Sequence, residues 1–543
     1  MAFTLNLLDF AVVALVVFML NRIFVRRRFR PLPPGPKGFP LIGNVLDMPT
    51  SHEWKTFAKW GDRWGDIISV TLFGQPIVVL NSSQHAFDVL EKKSAIYSDR
   101  PTIVVGGEMI GWNRALVLLP YGNTFREYRR LLFQLIGTRQ SVTLLHPFLD
   151  EQTRNFIVRL HGAPNDVVKQ VRKAAGSIIL MMSHGYKVQE GEDPIVNAVD
   201  KATEEFALCT APGAYLADIF PIRECRPLYF ACRAHLASVR YIPSWFPGGG
   251  WKKTLGAQRE NLRIMSDVPH EFVKRHMAAG TAIPSFTSAN LEGNVTPERE
   301  EFIKWAATSL YGGRCPFLSH PCRRFPKPQL TILQTVSAIN TFFLAMTCNP
   351  DVQRRAQQEI DAVIGSDRLP NSADREQLSY VTALFLEVLR WNPVAPLGVP
   401  HRLTEDDIHA GYLLPKGTIV IPNIWKFLHD PHTYEDPMTF NPNRFLSSQS
   451  RAPERDPREV AFGFGRRICP GLNLADASIW LSCAMSLAAF DISKATEDGV
   501  VIEPSLEYST GTISHPPPFK CSIKPRSAKA EALIRSMGDF KQE

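Results

Sequence analysis

A chain of 543 residues that is 45% hydrophobic and 21% charged carries enough apolar material for a large core, which excludes disorder over most of its length. By length alone it spans about three to four average domains. The net charge of +8 is small for this size, and much of it sits in Arg22, Arg26, Arg27, Arg28 and Arg30. That cluster marks a membrane edge and argues against a nucleic-acid surface. The nine cysteines, at 209, 225, 232, 315, 322, 348, 469, 483 and 521, show no dense framework, so reduced thiols in a cytosol-like compartment are expected.

Residues 5–20 are apolar apart from Asn6 and Asp9, and apolar character resumes at 23–25. Residues 1–25 are therefore predicted to form one transmembrane helix. A cleaved signal peptide needs a basic start and a small-residue cleavage site, and neither is present. Because the arginines follow the span, the N-terminus is expected in the lumen and the body in the cytosol. Residues 26–40 read as a basic, then proline-rich linker, stiff and extended through Pro31-Leu32-Pro33-Pro34-Gly35-Pro36. In the body, residues 41–525, short β patterns at 67–72 and 77–80 come first. Helical periodicity dominates from about 82 to 390, and a strand returns at 419–421. The fold class is mainly α with a small β region. The sequons at Asn81 and Asn294 are expected to stay unused on a cytosolic body, and the charged tail, residues 526–543, is expected to fray.

The most informative stretch is Phe462-Gly463-Phe464-Gly465-Arg466-Arg467-Ile468-Cys469-Pro470-Gly471. From Leu472 the apolar residues Leu474, Ile479, Leu481, Met485 and Leu487 predict a buried helix, so Cys469 lies just before a helix N-terminus. Orphan backbone N–H groups and the positive end of the dipole there favour an anion and lower a thiol's pKa. The glycines allow a tight turn and a close approach to a flat ligand. Such a lone thiolate suits an axial haem ligand; the competing reading is a buried structural cysteine.

The run matches Phe-x-x-Gly-x-Arg-x-Cys-x-Gly, the haem-binding signature of the cytochrome P450 superfamily, with Phe462, Gly465, Arg467, Cys469 and Gly471 in place. The chain resembles this family over nearly its whole length. Within it, the likeness is to fungal microsomal members of secondary metabolism similar to O-methylsterigmatocystin oxidoreductase. The resemblance implies the cytochrome P450 fold behind an endoplasmic reticulum anchor, with Cys469 as axial ligand to the iron of haem b. It also implies cofactor contacts from Phe462, Gly465, Arg467 and Gly471.

Companion motifs extend the resemblance. Glu387 and Arg390, at i and i+3 of a predicted helix over 377–391, share a face and can pair. They precede Phe440-Asn441-Pro442-Asn443-Arg444-Phe445, which resembles the family's Phe-x-Pro-x-Arg-Phe element. By resemblance, Glu387, Arg390 and Arg444 form a buried ionic triad whose use is geometric. Propionate contacts are implied for Arg467, for His401 within Pro400-His401-Arg402, and for Arg129, where Phe125 replaces the tryptophan of Trp-x-x-x-Arg. Plain surface charge is the alternative for each arginine. Residues 394–399 and 509–514 are expected to line the pocket, and 101–114 and 212–251 the substrate entrance.

One element departs from the family. Residues 302–313 and 335–348 read as two halves of the oxygen-binding helix, separated by an anomalous insertion, 314–334, with prolines at 316, 321, 326 and 328. Four prolines forbid a continuous helix. No Asp-Thr or Glu-Thr pair is present, and Thr335 is the nearest catalytic alcohol. Cys315, His320 and Cys322 are three metal-type ligands without a fourth; the other reading is untranslated sequence retained in frame. The implied activity is oxidation of an apolar substrate by O2. Its electrons come from NADPH through a separate reductase, with cytochrome b5 as an optional donor, since Gly463-x-Gly465 is no dinucleotide fingerprint. The alternatives are a haem-thiolate isomerase or dehydratase, and a degenerate haem-binding protein.

Overall fold

The computed structural model describes residues 31–189, 191, 193–209, 252–312, 333–449 and 451–539. The expected transmembrane helix, the entrance segment 212–251 and the zinc-type residues Cys315, His320 and Cys322 lie outside them.

The body begins with α1 (Glu53–Trp64) and a hairpin of β1 (Ile67–Leu72) and β2 (Gln75–Leu80). Phe73 and Gly74 between them both have positive φ, 46° and 89°, the two-residue turn whose twist matches paired strands. Ahead of the hairpin, the proline-rich segment runs along β1. Ser69 donates its backbone N–H to Pro34 O at 2.9 Å and its hydroxyl to Pro33 O at 2.5 Å. A Cβ on Gly35 would lie 2.0 Å from Ser69 O, so only glycine fits there. The end of the linker is thus part of the body.

The helical part follows: α2 (Asn123–Ile136), α3 (His146–Gly162), α4 (Val167–His184), α5 (Pro194–Cys209), α6 (Lys252–Ala278), α7 (Pro297–Gly312), α8 (Leu333–Cys348), α9 (Pro350–Val363) and α10 (Ser379–Trp391). Both α7 and α8 pack on α4. The sheet is then completed by β3 (His401–Arg402), a side hairpin β4 (Asp407–His409) and β5 (Tyr412–Leu414), and β6 (Ile419–Pro422). Its order is β1-β2-β6-β3, with β6 parallel to β2 and antiparallel to β3. The sheet placed early therefore takes its closing strands from late in the chain.

α11 (Leu472–Ala489) packs against α3, α8 and α10. From Ser478 to Ala489 every residue is buried, whereas its first turns, with Asn473 and Asp476, are partly exposed. Among the described residues it is the one helix long and apolar enough to cross a membrane, yet most of it is buried inside the protein.

One expectation changes. Residues 526–539 of the charged tail do not fray: after β7 (Phe490–Lys494) pairs with β8 (Cys521–Pro525), α12 (Ala528–Asp539) docks on α3 with Ala530 and Ile534 buried. Those two are i, i+4 neighbours on one face, and their burial offsets the ordering entropy of the charged face. Asn81, whose sequon was expected to stay unused, is a core residue. It donates Nδ2 to Phe57 O at 3.0 Å and accepts from Asn423 at 2.8 Å, so it is not presented for modification.

Candidate functional site

One cavity lies where α2, α4, α7, α8 and the 462–471 loop meet. Its atom-free space, solvent mouth included, is about 1720 Å³. Most of the wall is aliphatic, with Leu132, Ile178, Ile179, Leu310, Val394 and Val399 among its residues.

Half-buried Cys469 stands at one wall, ahead of Gly471, the cap of α11. Its backbone N–H donates to Phe462 O at 2.9 Å, and Ile468 N–H donates to Gly465 O at 3.2 Å. The loop therefore closes on itself around the thiol. Gly463 and Gly465 both have positive φ, 80° and 51°, as a tight turn requires. Gly465, at φ 51°, would set a Cβ 2.4 Å from Leu90 O, so its bareness lets the loop seat on the helical turn Phe87–Lys92. A Cβ at Gly471 would lie 3.9 Å from Cys469 Sγ, in ordinary contact. Gly465 thus serves loop packing.

Four cationic or cationisable side chains line the same cavity: Arg100, Arg129, Arg467 and His401. Arg467 donates Nε to Ser98 O and Nη2 to Leu119 O, each at 2.7 Å, and its guanidinium lies 3.9 Å from the Phe125 ring centre. Phe125 thus supplies a cation–π surface where tryptophan would have added a donor. Arg129 donates Nη1 to Ile468 O at 2.5 Å, beside the thiol. Burial lowers its pKa, partly offset by the Cys469 sulfur. Burial, then the like charge of Arg100 and further that of Arg129, pulls Arg467 down to about 8, with Asp99 a partial offset. His401 donates Nδ1 to Tyr97 O at 2.8 Å, and burial plus Arg100 and Arg467 hold it well below its ordinary pKa. The neutral ring then presents Nε2 as an acceptor. No carboxylate is found among the described lining residues. Arg100 was not anticipated from the sequence, because it lies one residue outside the glycine-rich stretch from 101 and belongs to no motif.

The cytochrome P450 family model matches residues 33–230 and 334–523. The chain is 54% identical over 538 residues to cytochrome P450 monooxygenase 208 of Postia placenta, covering 99% of each. It is 46% identical over 527 residues to cytochrome P450 monooxygenase claR of Ampulloclitocybe clavipes, covering 97% of this chain and 92% of that one. With cytochrome P450 monooxygenase ppsD of Aspergillus oryzae the identity is 39% over 521 residues, at 94% and 92% coverage. The chain belongs to the cytochrome P450 family. It is an enzyme of the monooxygenase class under which these fungal relatives are named.

The P450 family implies haem and an electron donor, and the cavity chemistry fits haem. A thiol faces an apolar slot whose described lining holds Arg100, Arg129, Arg467 and His401 and no carboxylate. Two propionates would meet those donors through charge-assisted hydrogen bonds. Haem dimethyl ester, with both carboxylates masked, should consequently bind the apoprotein at least about tenfold more weakly than haem. Competitive reconstitution followed by Soret absorbance measures this, and equal affinities would remove the propionate assignment.

Behind the P450 cysteine loop, the triad is assembled as expected. Glu387 and Arg390 are wholly buried and Arg444 nearly so. Arg390 donates to both oxygens of Glu387, at 2.7 and 2.8 Å, and Arg444 Nε approaches the same carboxylate at 3.1 Å. A fourth member, Glu454, accepts Arg444 Nη1 at 2.7 Å. Carbonyls of Leu428, Pro437 and Glu435 take further guanidinium hydrogens at 2.7 to 2.9 Å. Glu454 escaped sequence reading because a loop, not helical spacing, carries it to Arg444.

The two half-helices of this P450 meet the cavity at their facing ends. Ser309 and Leu310 of α7 and Thr335 of α8 all line it. Ser309 is also structural, donating to Trp305 O at 2.7 Å and accepting Leu116 N–H at 3.1 Å. The expected role of 509–514 changes: Ser514 donates its N–H to Val394 O at 2.8 Å, so that segment backs the pocket-lining turn instead of lining the pocket. Residues 101–114 are ordered too, with Trp112 buried edge-on against Phe206.

Proposed function

We propose that this P450 oxidises a small apolar organic substrate with O2 at the endoplasmic reticulum membrane, in fungal secondary metabolism or xenobiotic oxidation. Its electrons come from NADPH through a separate reductase, with cytochrome b5 as an optional donor. The observation that carries this reading is the convergence of Cys469 with Arg100, Arg129 and Arg467 on one apolar cavity. Haem, when bound there, supplies dioxygen activation and oxygen transfer.

Each residue then has a physical task. Cys469 Sγ is the iron ligand, held by the Phe462–Cys469 backbone bond and by the favourable charge of Arg129. Arg129 and Arg467 hold propionates; His401 joins them only by taking a second proton, because its Nδ1–H is committed to Tyr97 O. Phe462, Gly465 and Gly471 shape the loop. The aliphatic wall excludes water and accepts an apolar substrate. Thr335, which lines the cavity, is the hydroxyl that would hold a proton at Oγ1. The anchor reading rests on the apolar residues 5–20 and the arginines after them.

The insertion 314–334 is read as retained untranslated sequence: its prolines interrupt one helical pattern midway, it falls at the end of the stretch 231–333 that the family model leaves unmatched, and α8 takes up the cavity wall beyond it. One experiment covers these points. The transcript is sequenced across codons 313–335, the encoded chain is loaded with haem, and NADPH oxidation is followed with a reductase and an apolar test substrate. A shorter transcript that restores an acid–alcohol pair and gives substrate-dependent turnover is expected. Substrate conversion without NADPH would instead favour the isomerase or dehydratase reading, which the missing pair leaves open.

A further inference from the structure

We propose that Asp476 is a positioning residue for the Cys469 loop, its carboxylate clipping the segment that enters the loop to the helix that leaves it. Asp476 lies near the start of α11. Its Oδ1 accepts Arg458 Nη1 at 2.8 Å and its Oδ2 accepts Arg375 Nη1. Arg458 opens the short helix Arg458–Ala461, the last regular element before the 462–471 run. It is braced in turn by Asp456, whose two oxygens each accept its Nε at 3.0 Å. The Arg458–Asp476 pair therefore closes a ring of chain with Cys469 inside it.

Arg375 ties this ring to the rest of the core. It sits in the turn Ser372–Gln377 that leads into α10. Its guanidinium lies 5.3 Å from the Phe385 ring centre on α10 and 5.4 Å from that of Trp480 on α11. Trp480 Nε1 donates to Thr382 Oγ1 of α10 at 3.1 Å. One carboxylate so joins both ends of the loop to the helix that bears Glu387 and Arg390, using none of the residues of the Glu387 network.

The loop's own hydrogen bonds do only part of this. Phe462–Cys469, Phe464–Arg467 and Gly465–Ile468 are turns within the run, and Leu472 N–H to Cys469 O at 3.4 Å and Ala475 N–H to Gly471 O at 2.8 Å continue its exit into α11; none of these joins the entering segment Arg458–Ala461 to α11. The clip is shielded enough to matter, with side-chain exposures of 15% for Asp476, 23% for Arg375 and 25% for Arg458. Burial raises the Asp476 pKa, but Arg375 and Arg458 outweigh it and hold the carboxyl below its ordinary range.

The inference rests on the assignment of Cys469 as iron ligand. The test uses the full chain loaded with haem, comparing the parent with Asp476→Asn, a neutral side chain of the same shape. Samples are warmed mildly, and the reduced, CO-treated spectrum is followed as the red-shifted thiolate band gives way to the blue-shifted one, alongside far-UV circular dichroism. Asp476→Asn should lose the thiolate band about tenfold faster than the parent, with unchanged dichroism and haem content. Asp476→Glu should lie nearer the parent. Arg458→Gln should match Asp476→Asn, and the double variant should be no faster than either, because the two groups act as one unit. Equal lifetimes in parent and Asp476→Asn, or band loss only in step with dichroism, overturn the clip alone. A parent without a thiolate band overturns the Cys469 assignment and the clip with it.

Discussion

Cys469→Ser is expected to remove the red-shifted Soret band of the reduced, CO-treated protein and to lower turnover at least about 100-fold, given that residues merely supporting a metal ligand already cost 10- to 100-fold. The substitution changes one atom and keeps the shape. The loop is held by backbone bonds, Cys469 N–H to Phe462 O at 2.9 Å and Leu472 N–H to Cys469 O at 3.4 Å, which serine retains. Arg129 and Arg467 stay where they are, since their partners are carbonyls of Ile468, Ser98 and Leu119. The variant should therefore still take up haem, and this isolates the sulfur's contribution. A serine hydroxyl stays protonated near neutral pH and donates far less electron density to iron than a thiolate does. Absorption spectra and NADPH-dependent turnover of matched samples decide the matter; an unaltered band in the serine variant would sink the assignment.

What was legible in the sequence had local spacing. Phe462, Gly465, Arg467, Cys469 and Gly471 occupy fixed offsets on one turn, and Glu387 and Arg390 are one helical turn apart, so their proximity needs no tertiary knowledge. Strand β1 was legible at its observed bounds because Ile67–Leu72 is a β-branched, apolar run. Arg100, Glu454 and Asp476 were not legible. Each reaches its partners by tertiary packing, and a lone charged residue carries no mark distinguishing a clip from a solvated face. Strands β7 and β8 pair across the segment between Lys494 and Cys521, a distance over which hydrophobic pattern gives no register. The docking of α12 did leave a signal, Ala530, Leu533, Ile534 and Met537 at helical spacing, but the surrounding charges outweighed it in a reading by composition. The role of residues 509–514 was misjudged, because a sequence shows that a segment must be near but not whether its neighbour is a ligand or the protein's own backbone.

The ionic network behind the loop is the second place where one side chain should decide the outcome. Glu387 and Arg390 are 0% exposed and Arg444 is 1% exposed, and with Glu454 they form a set of two positive and two negative side chains. Glu387→Gln preserves volume and some hydrogen bonding but leaves a net positive charge in the core, and breaking a buried pair from one side costs about 3–5 kcal/mol. Against a total stability of about 5–15 kcal/mol, that is a large share. The variant should accumulate with little haem and melt well below the parent, as followed by Soret absorbance and circular dichroism on heating. Glu454→Gln should do less, because Glu454 lies at the network's edge, 7% exposed, and its other partner Arg451 is 40% exposed. A third variant separates stability from geometry. Replacing Glu387, Arg390, Arg444 and Glu454 together with methionine and leucine removes the desolvation cost without stranding Glu454 and should recover much of the melting temperature. The same variant forfeits the directed bonds from Arg390 to Leu428 and Pro437 and from Arg444 to Glu435, which fix the chain leading to the cysteine loop. It should melt near the parent yet fail to hold a thiolate-ligated haem. Recovery of both properties would show that the charges are dispensable to the loop's geometry.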